Sequence, residues 1–223
     1  MKLPQPCDGR PPAHEQVDAT APGARRVYLV RHAAPTLPDG QRRFLGLTDL
    51  PLSAEGVRQA HALADRLREC GVSAIYCSGL ARSRHTATIL AEGRRLVPQE
   101  RHWLREIDTG SWDLLSFEEV SRLYPQEWAA RESDLADTPF PGGESLREVQ
   151  KRVVPGFFDL LDEREGDMLI VGHRAVNVVL LASLTDKPLA LAFTIPQDYC
   201  ALNVIEVSIE ATGCRRFSVR PGQ

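Results

Sequence analysis

The run Arg26-Val27-Tyr28-Leu29-Val30-Arg31-His32 decides how the rest of the chain is read. Its middle is β-branched, aromatic and apolar without alternation, as in a strand buried on both faces, and it ends abruptly on a cation and an imidazole. Two further runs are built alike: Ala74-Ile75-Tyr76-Cys77, followed by Ser78, and Met168-Leu169-Ile170-Val171, followed by Gly172-His173. Helical stripes lie between them. Ser53 reads as the N-cap of a helix carrying Val57, Ala60, Ala64 and Leu67 and ending at Gly71; a second runs from about Ala81 to Glu92 and stops at Gly93. The capping box Ser145-Leu146-Arg147-Glu148 opens a longer helix with Val149, Val153, Phe157 and Leu160 facing inward, which Pro155 is expected to kink. A very apolar helix, Val176 to Leu184, follows the third strand. Asn203 to Ile209 alternates as a half-buried strand, with Arg215 to Val219 beside it at the edge. Strands alternating with helices predict a three-layer α/β sandwich, its central sheet mostly parallel and covered by helices on both faces.

The regular pattern is interrupted once. From about residue 97 to 143 it turns irregular and holds all three tryptophans, Trp103, Trp112 and Trp128. Within it Ser116-Phe117-Glu118-Glu119 forms another capping box, opening a helix toward Trp128. This stretch reads as a lid-like insert over one end of the sheet, its tryptophans as packing residues. Residues 1–24, rich in Pro, Gly, Ala and polar side chains, read as a flexible tail, leaving residues 25–223 as one domain.

Composition excludes several classes. The 223 residues include 27 basic and 30 acidic side chains, a formal net charge of -3, so no global positive field draws the chain to nucleic acid or an anionic membrane. Lysine supplies only Lys2, Lys151 and Lys187, leaving 24 arginines. That excess is either compositional background or, in part, a planar anion site, for which guanidinium suits better than ammonium. No apolar run is long enough to span a bilayer, and no signal peptide is read at the start. Five scattered cysteines without a Cys-x-x-Cys pair encode neither a disulfide framework nor a structural zinc site, which points to a reducing cytoplasm. No oligomeric state is readable.

Open α/β sheets bind ligands at the carboxyl ends of their strands. Three strands here deliver polar groups to that edge: Arg31-His32, then Ser78 with Arg82 just beyond, then His173. Two imidazoles and two guanidinium groups with few carboxylates beside them suit a phosphoryl group: arginine offers paired donors to phosphate oxygens, and a neutral imidazole can be the nucleophile. The Arg-His dipeptide alone proves little, since about 0.6 are expected by chance and the chain has three. Only Arg31-His32 ends a buried strand; Arg84-His85 and Arg101-His102 read as helical or surface residues.

With these residues in place the chain resembles the histidine phosphatase superfamily, in its phosphoglycerate mutase-like branch. The family's Arg-His-Gly after the first strand appears as Arg31-His32-Ala33, and its Ser-Ser-Asp-Leu-x-Arg-Ala as Cys77-Ser78-Gly79-Leu80-Ala81-Arg82-Ser83. Its Leu-x-Glu near Gly-x-Trp appears as Leu104-Arg105-Glu106 with Gly110-Ser111-Trp112. Pro-Gly-Gly-Glu-Ser is intact at residues 141–145, and Val-Gly-His-Gly becomes Val171-Gly172-His173-Arg174. The loops Arg43-Phe44-Leu45-Gly46 and Asp49 to Gly56 also look like family sequence. Gly46 to Ser53, the His-x-x-Pro start and Tyr124 to Trp128 look most like α-ribazole-5'-phosphate phosphatases and broad-specificity relatives.

The resemblance implies a metal-independent phosphatase without a cofactor, acting on a small phosphorylated metabolite. It makes His32 the nucleophile that becomes phosphohistidine. Arg31, Arg82 and His173 become the phosphate pocket, with His173 also in the catalytic set, and Glu106 the acid and then base. Phe44, Gly46 and Arg174 become candidate substrate contacts, Arg174 standing where the family has glycine. Asp108 and Asp113 flank Glu106 as understudies. Phosphoglycerate mutase-type transfer is the alternative, against which Ala33-Ala34-Pro35 lacks the mutases' glutamate; a degenerate, non-catalytic phospholigand binder is another. A cysteine phosphatase loop at Cys77 is a third, one residue too short before Arg82-Ser83.

Overall fold

The computed structural model describes residues 25–210 and 215–222; the expected tail over residues 1–24 lies outside them. Six strands form one sheet: β1 (Arg25–Arg31), β2 (Ala74–Cys77), β3 (Gln99–Glu100), β4 (Met168–Gly172), β5 (Leu202–Ile209) and β6 (Arg215–Pro221), in the order β3-β2-β4-β1-β5-β6. Strands β3, β2, β4 and β1 pair in parallel, and β5 and β6 add an antiparallel edge. The three apolar runs are thus neighbours at the centre. Each strand's alternate side chains enter opposite layers, as the period of two requires. Val27, Leu29, Tyr76, Met168 and Ile170 join one core; Tyr28, Val30, Ile75, Cys77, Leu169 and Val171 join the other. Helices α1 (Ala54–Arg66) and α2 (Ala81–Ala91) cover the second core, and α5 (Leu146–Glu163) and α6 (Arg174–Leu184) the first.

Local signals account for most boundaries. Ser53 accepts from Gly56 N–H at the start of α1, and Ser145 and Glu148 form the capping box of α5. Helix α1 ends at Arg66 rather than Gly71. Helix α5 continues through Pro155 over 18 residues; Pro155 and Lys151, whose carbonyl loses its partner, both face solvent. The insert departs further from expectation. The helix read toward Trp128 is two, α3 (Phe117–Leu123) and α4 (Pro125–Ser133), separated at Tyr124 (φ -132, ψ 51). Steric pressure from Pro125 pushes the residue before it out of the helical region. The two-residue strand β3, too short to leave a pattern, extends the sheet by pairing with β2. Among the described residues no helix is long and apolar enough to cross a membrane.

Candidate active site

Strand register brings the two histidines together. β1 and β4 are parallel neighbours with Arg31 opposite Gly172, so His32 and His173 are each the first residue beyond adjacent strand ends. His32 N–H donates to the Gly172 carbonyl at 3.0 Å, and the two rings lie with centroids 4.9 Å apart. Both imidazoles are buried. Nδ1 of His32 is 2.8 Å from the Ala33 carbonyl, which can only accept, so Nδ1 carries the proton and Nε2 keeps its lone pair. Burial, then the charges of Arg31 and Arg82, hold the His32 pKa well below the ordinary imidazole range. The ring is therefore neutral at neutral pH. Ala33, where the family has glycine, is not among the residues of positive φ, so its methyl group carries no backbone strain.

His173 is neutral for similar reasons: burial first, then Arg82, His32, Arg31 and Arg152, push its pKa far down. Its Nε2 lies 2.7 Å from Ser78 Oγ, delivered by the end of β2. Gly79 follows at φ +80, a conformation that side chains rarely adopt, which suits glycine at this strand-to-helix turn. Arg82, in the first turn of α2, is fully buried and donates to the carbonyls of Gly46 (2.6 Å) and Thr48 (2.8 Å). Its Nε has no hydrogen-bond partner among the described residues. Arg31 donates to the Gln197 carbonyl at 2.6 Å and stacks 4.1 Å over the Tyr199 ring.

Glu106 arrives from the insert. Its carboxyl group accepts from its neighbour Ile107 N–H at 2.9 Å and from Ala175 N–H at 3.2 Å, the latter in the first turn of α6, where helix N–H groups lack intrahelical acceptors. Arg152 of α5 fixes the segment that carries it, donating to the carbonyls of Trp103, Arg105 and Glu106. Asp108 is spent on Gly110 N–H, and Asp113 on Gly46 and Thr48. Neither understudy lines the cavity, whereas Glu106 does.

That cavity, about 720 Å³, has a polar floor of Arg31, His32, Glu106, Arg174, Asp198 and Tyr199. Its other wall is aromatic: Phe44, Trp112, Phe117, Trp128 and Phe140, whose rings contact one another. Phe44 and Arg174 therefore line it, Arg174 stacked on Phe193 at 4.9 Å. Gly46 is not on this lining; its N–H and carbonyl are used by Asp113 and Arg82, and a Cβ there would meet Thr109 Oγ1 at 2.6 Å. Arg82 and His173, both fully buried, are not on this lining. Sequence reading missed Tyr199, Asp198, Arg152 and Arg131, none of which stands in a strand-end position or a quoted motif. Cys77 is fully buried in the core and burial raises its thiol pKa, so it is no thiolate nucleophile.

Two buried neutral imidazoles with centroids 4.9 Å apart, buried guanidinium groups and a carboxylate on the cavity lining are a set of groups that suits phosphoryl chemistry. Residues 27–219 match the Histidine phosphatase superfamily (branch 1), and the chain belongs to that family. The rat 6-phosphofructo-2-kinase/fructose-2,6-bisphosphatase 1 is 34% identical over 200 residues, 87% of this chain and 40% of the relative. The chain thus spans about 40% of the length of that curated relative. Among solved structures, mycobacterial glucosyl-3-phosphoglycerate phosphatase superposes with a TM-score of 0.78 at 25% identity, over 89% of this chain and 98% of that one. The α-ribazole phosphatase of Shigella flexneri, 23% identical with a TM-score of 0.77 over 88% and 95% of the two chains, shares the fold.

Proposed function

We propose that this chain hydrolyses a small phosphate monoester through a phosphohistidine on His32. The observation that carries the reading is the Nδ1–Ala33 carbonyl hydrogen bond, which leaves a neutral His32 with its Nε2 lone pair free beside Arg31 and Glu106. Nε2 attacks phosphorus as the ester P–O bond breaks, and Glu106 gives its proton to the departing oxygen. Glu106, now a carboxylate, takes a proton from water as that water attacks phosphorus and the P–N bond breaks, returning His32 and releasing phosphate. Arg31 donates to the phosphoryl oxygens, Arg82 adds its buried charge, and His173 is the neutral donor beside them. Arg174 and Phe44 contact the alcohol portion.

A cavity of about 720 Å³ far exceeds a phosphate and accepts a metabolite-sized alcohol. Phosphatase action is favoured over mutase transfer because Ala33-Ala34-Pro35 puts no carboxylate beside the nucleophile. The free Cys70, Cys77 and Cys200 suit a reducing, cytoplasmic setting. The test is phosphate release from fructose 2,6-bisphosphate, α-ribazole phosphate, glucosyl-3-phosphoglycerate and nucleoside monophosphates, with mutase activity on 3-phosphoglycerate alongside. Wild type should release phosphate from at least one and form acid-labile phosphoprotein on rapid quenching, and His32→Ala should do neither. Near-normal turnover by His32→Ala overturns the assigned nucleophile.

A further inference from the structure

We propose that Asn177 is a positioning residue that sets the orientation of Arg31 through Gln197, a proposal resting on the reading of Arg31 as a ligand of the phosphoryl group. The contacts run in series. Asn177 Nδ2 donates to Gln197 Oε1 at 3.1 Å, and the backbone carbonyl of Gln197 accepts from Arg31 Nη1 at 2.6 Å. Two residues further along the same loop, the Tyr199 ring lies against the Arg31 guanidinium at 4.1 Å. A planar guanidinium pinned at one arm and on one face keeps a single orientation. Arg31 makes no ion pair among the described residues, whereas Arg152 is paired with Glu144. Its direction therefore depends on neutral contacts with loop 197–201, and on what fixes that loop.

Asn177 stands apart in its own helix. Val176, Val178, Val179, Leu180 and Leu181 of α6 are buried and apolar, and Asn177 is fully buried with them. A buried amide costs free energy unless it is hydrogen-bonded, and asparagine favours a helix less than leucine does. Among the described residues Asn177 Oδ1 and Gln197 Nε2 have no partner, so the pair satisfies only half of what it buries and stabilises the fold poorly. What it does is join two parts of the site. Asn177 lies one turn beyond His173, whose carbonyl accepts its N–H at 2.9 Å; loop 197–201 in turn holds the end of β1, the Ala201 carbonyl accepting from Arg31 N–H at 3.0 Å. Gly172, opposite Arg31 in the β1–β4 register, leaves room for the amide: a Cβ there would meet Asn177 Oδ1 at 2.3 Å. Gly172 is not among the glycines of positive φ, so its lack of a side chain serves this close approach and not a backbone conformation.

The experiment measures the Kd of orthovanadate, an analogue of the phosphoryl group in transfer, by calorimetry in a double-mutant cycle. Asn177→Leu, of similar volume, should weaken binding about tenfold or more, the scale of one charge-assisted hydrogen bond. In an Arg31→Met background the same substitution should change Kd by less than about twofold, because the group it orients is gone. A loss of equal size in both backgrounds, or no loss in the first, overturns the proposal. Stability separates positioning from packing. Asn177→Leu leaves the Gln197 amide buried and unpaired and should lower Tm; Asn177→Leu with Gln197→Met removes both polar groups and should recover Tm while vanadate binding stays weak. Recovery of both overturns the proposal. If Asn177→Leu does not fold, that paired variant takes its place in the cycle. If wild type does not bind vanadate, or Arg31→Met binds it as tightly, the reading of Arg31 as a phosphate ligand fails separately, and the side-chain proton–nitrogen NMR spectrum decides. The Arg31 Nη signals, assigned by their loss in Arg31→Lys, should be resolved in wild type, where the anchored guanidinium rotates slowly, and averaged in Asn177→Leu. Signals alike in the two overturn the proposal.

Discussion

Arg152 grips Glu144 with both arms of its fork, Nε on Oε1 at 2.8 Å and Nη2 on Oε2 at 2.9 Å. The same guanidinium holds the Trp103, Arg105 and Glu106 carbonyls, and Glu144 also accepts from Asp108 N–H at 3.0 Å. Burial pushes the Glu144 carboxyl up, but the Arg152 and Asp108 hydrogen bonds outweigh it and hold it below its ordinary value. The glutamate of Pro-Gly-Gly-Glu-Ser is thus a tether for the backbone around Glu106. Arg152→Lys keeps the charge and loses the fork, so it should lower kcat about tenfold to a hundredfold, the range seen when a supporting hydrogen-bond partner is lost. As a positioning defect it should affect esters of poorly departing alcohols more than aryl phosphates. A uniform loss across leaving groups would refute that role.

The depressed pKa values of His32 and His173 predict how stability varies with pH. Above the unfolded value of about 6.5 both states carry neutral imidazoles and these groups contribute no slope. Below it the unfolded chain takes up protons that the buried rings refuse, so stability falls as pH falls toward their depressed folded values. The midpoint of thermal unfolding should therefore drop below pH 6.5, and His32→Asn with His173→Asn should flatten that part of the curve. An NMR titration should show neither ring protonating through pH 6.5. Protonation of His32 near that pH would contradict its neutral, buried state.

Loop 46–48 is held from two sides: Arg82 takes its carbonyls, and Asp113 accepts Gly46 N–H (2.8 Å), Thr48 N–H (2.9 Å) and the Thr48 hydroxyl (2.8 Å). Asp113→Asn turns one accepting oxygen into a donor facing donors. The expected cost is about 2–3 kcal/mol, or about 5–10 °C in Tm for a chain of this size. Activity should fall less than in Glu106→Gln, because Asp113 faces the loop and not the cavity. A Tm within 1 °C of wild type, by differential scanning calorimetry, would show that the clamp contributes little.

The central fold was legible because it depends on local signals: β2 begins and ends where its apolar run does, and the Ser53 and Ser145 caps start their helices as read. The meeting of His32 and His173 was legible from two strand ends and needed only the parallel register to bring them side by side. The break at Tyr124 was available from Pro125 but was overridden by the capping box upstream. The positions of Tyr199, Arg152 and Arg131 could not be read. They come from a loop, a helix interior and the insert, and meet the site only through long-range packing that leaves no periodicity in the sequence.

Glu106→Gln isolates proton transfer. The amide oxygen can still accept from Ile107 and Ala175 N–H, so the carboxylate's position is kept while its acid and base capacity is lost. An acid matters most when the departing oxygen is basic. Hydrolysis of an alkyl phosphate should therefore fall about 10²–10⁴-fold. Formation of phosphohistidine from 4-nitrophenyl phosphate, whose phenolate leaves without a proton, should fall far less, so a burst of nitrophenolate should survive. Its breakdown still needs a base to activate water, so steady-state turnover after that burst should slow and phosphoprotein should accumulate. Rapid-quench measurement of both phases separates these effects. Equal losses in the burst for alkyl and nitrophenyl esters would remove Glu106 from the proton-donor role and leave it a structural anchor of α6.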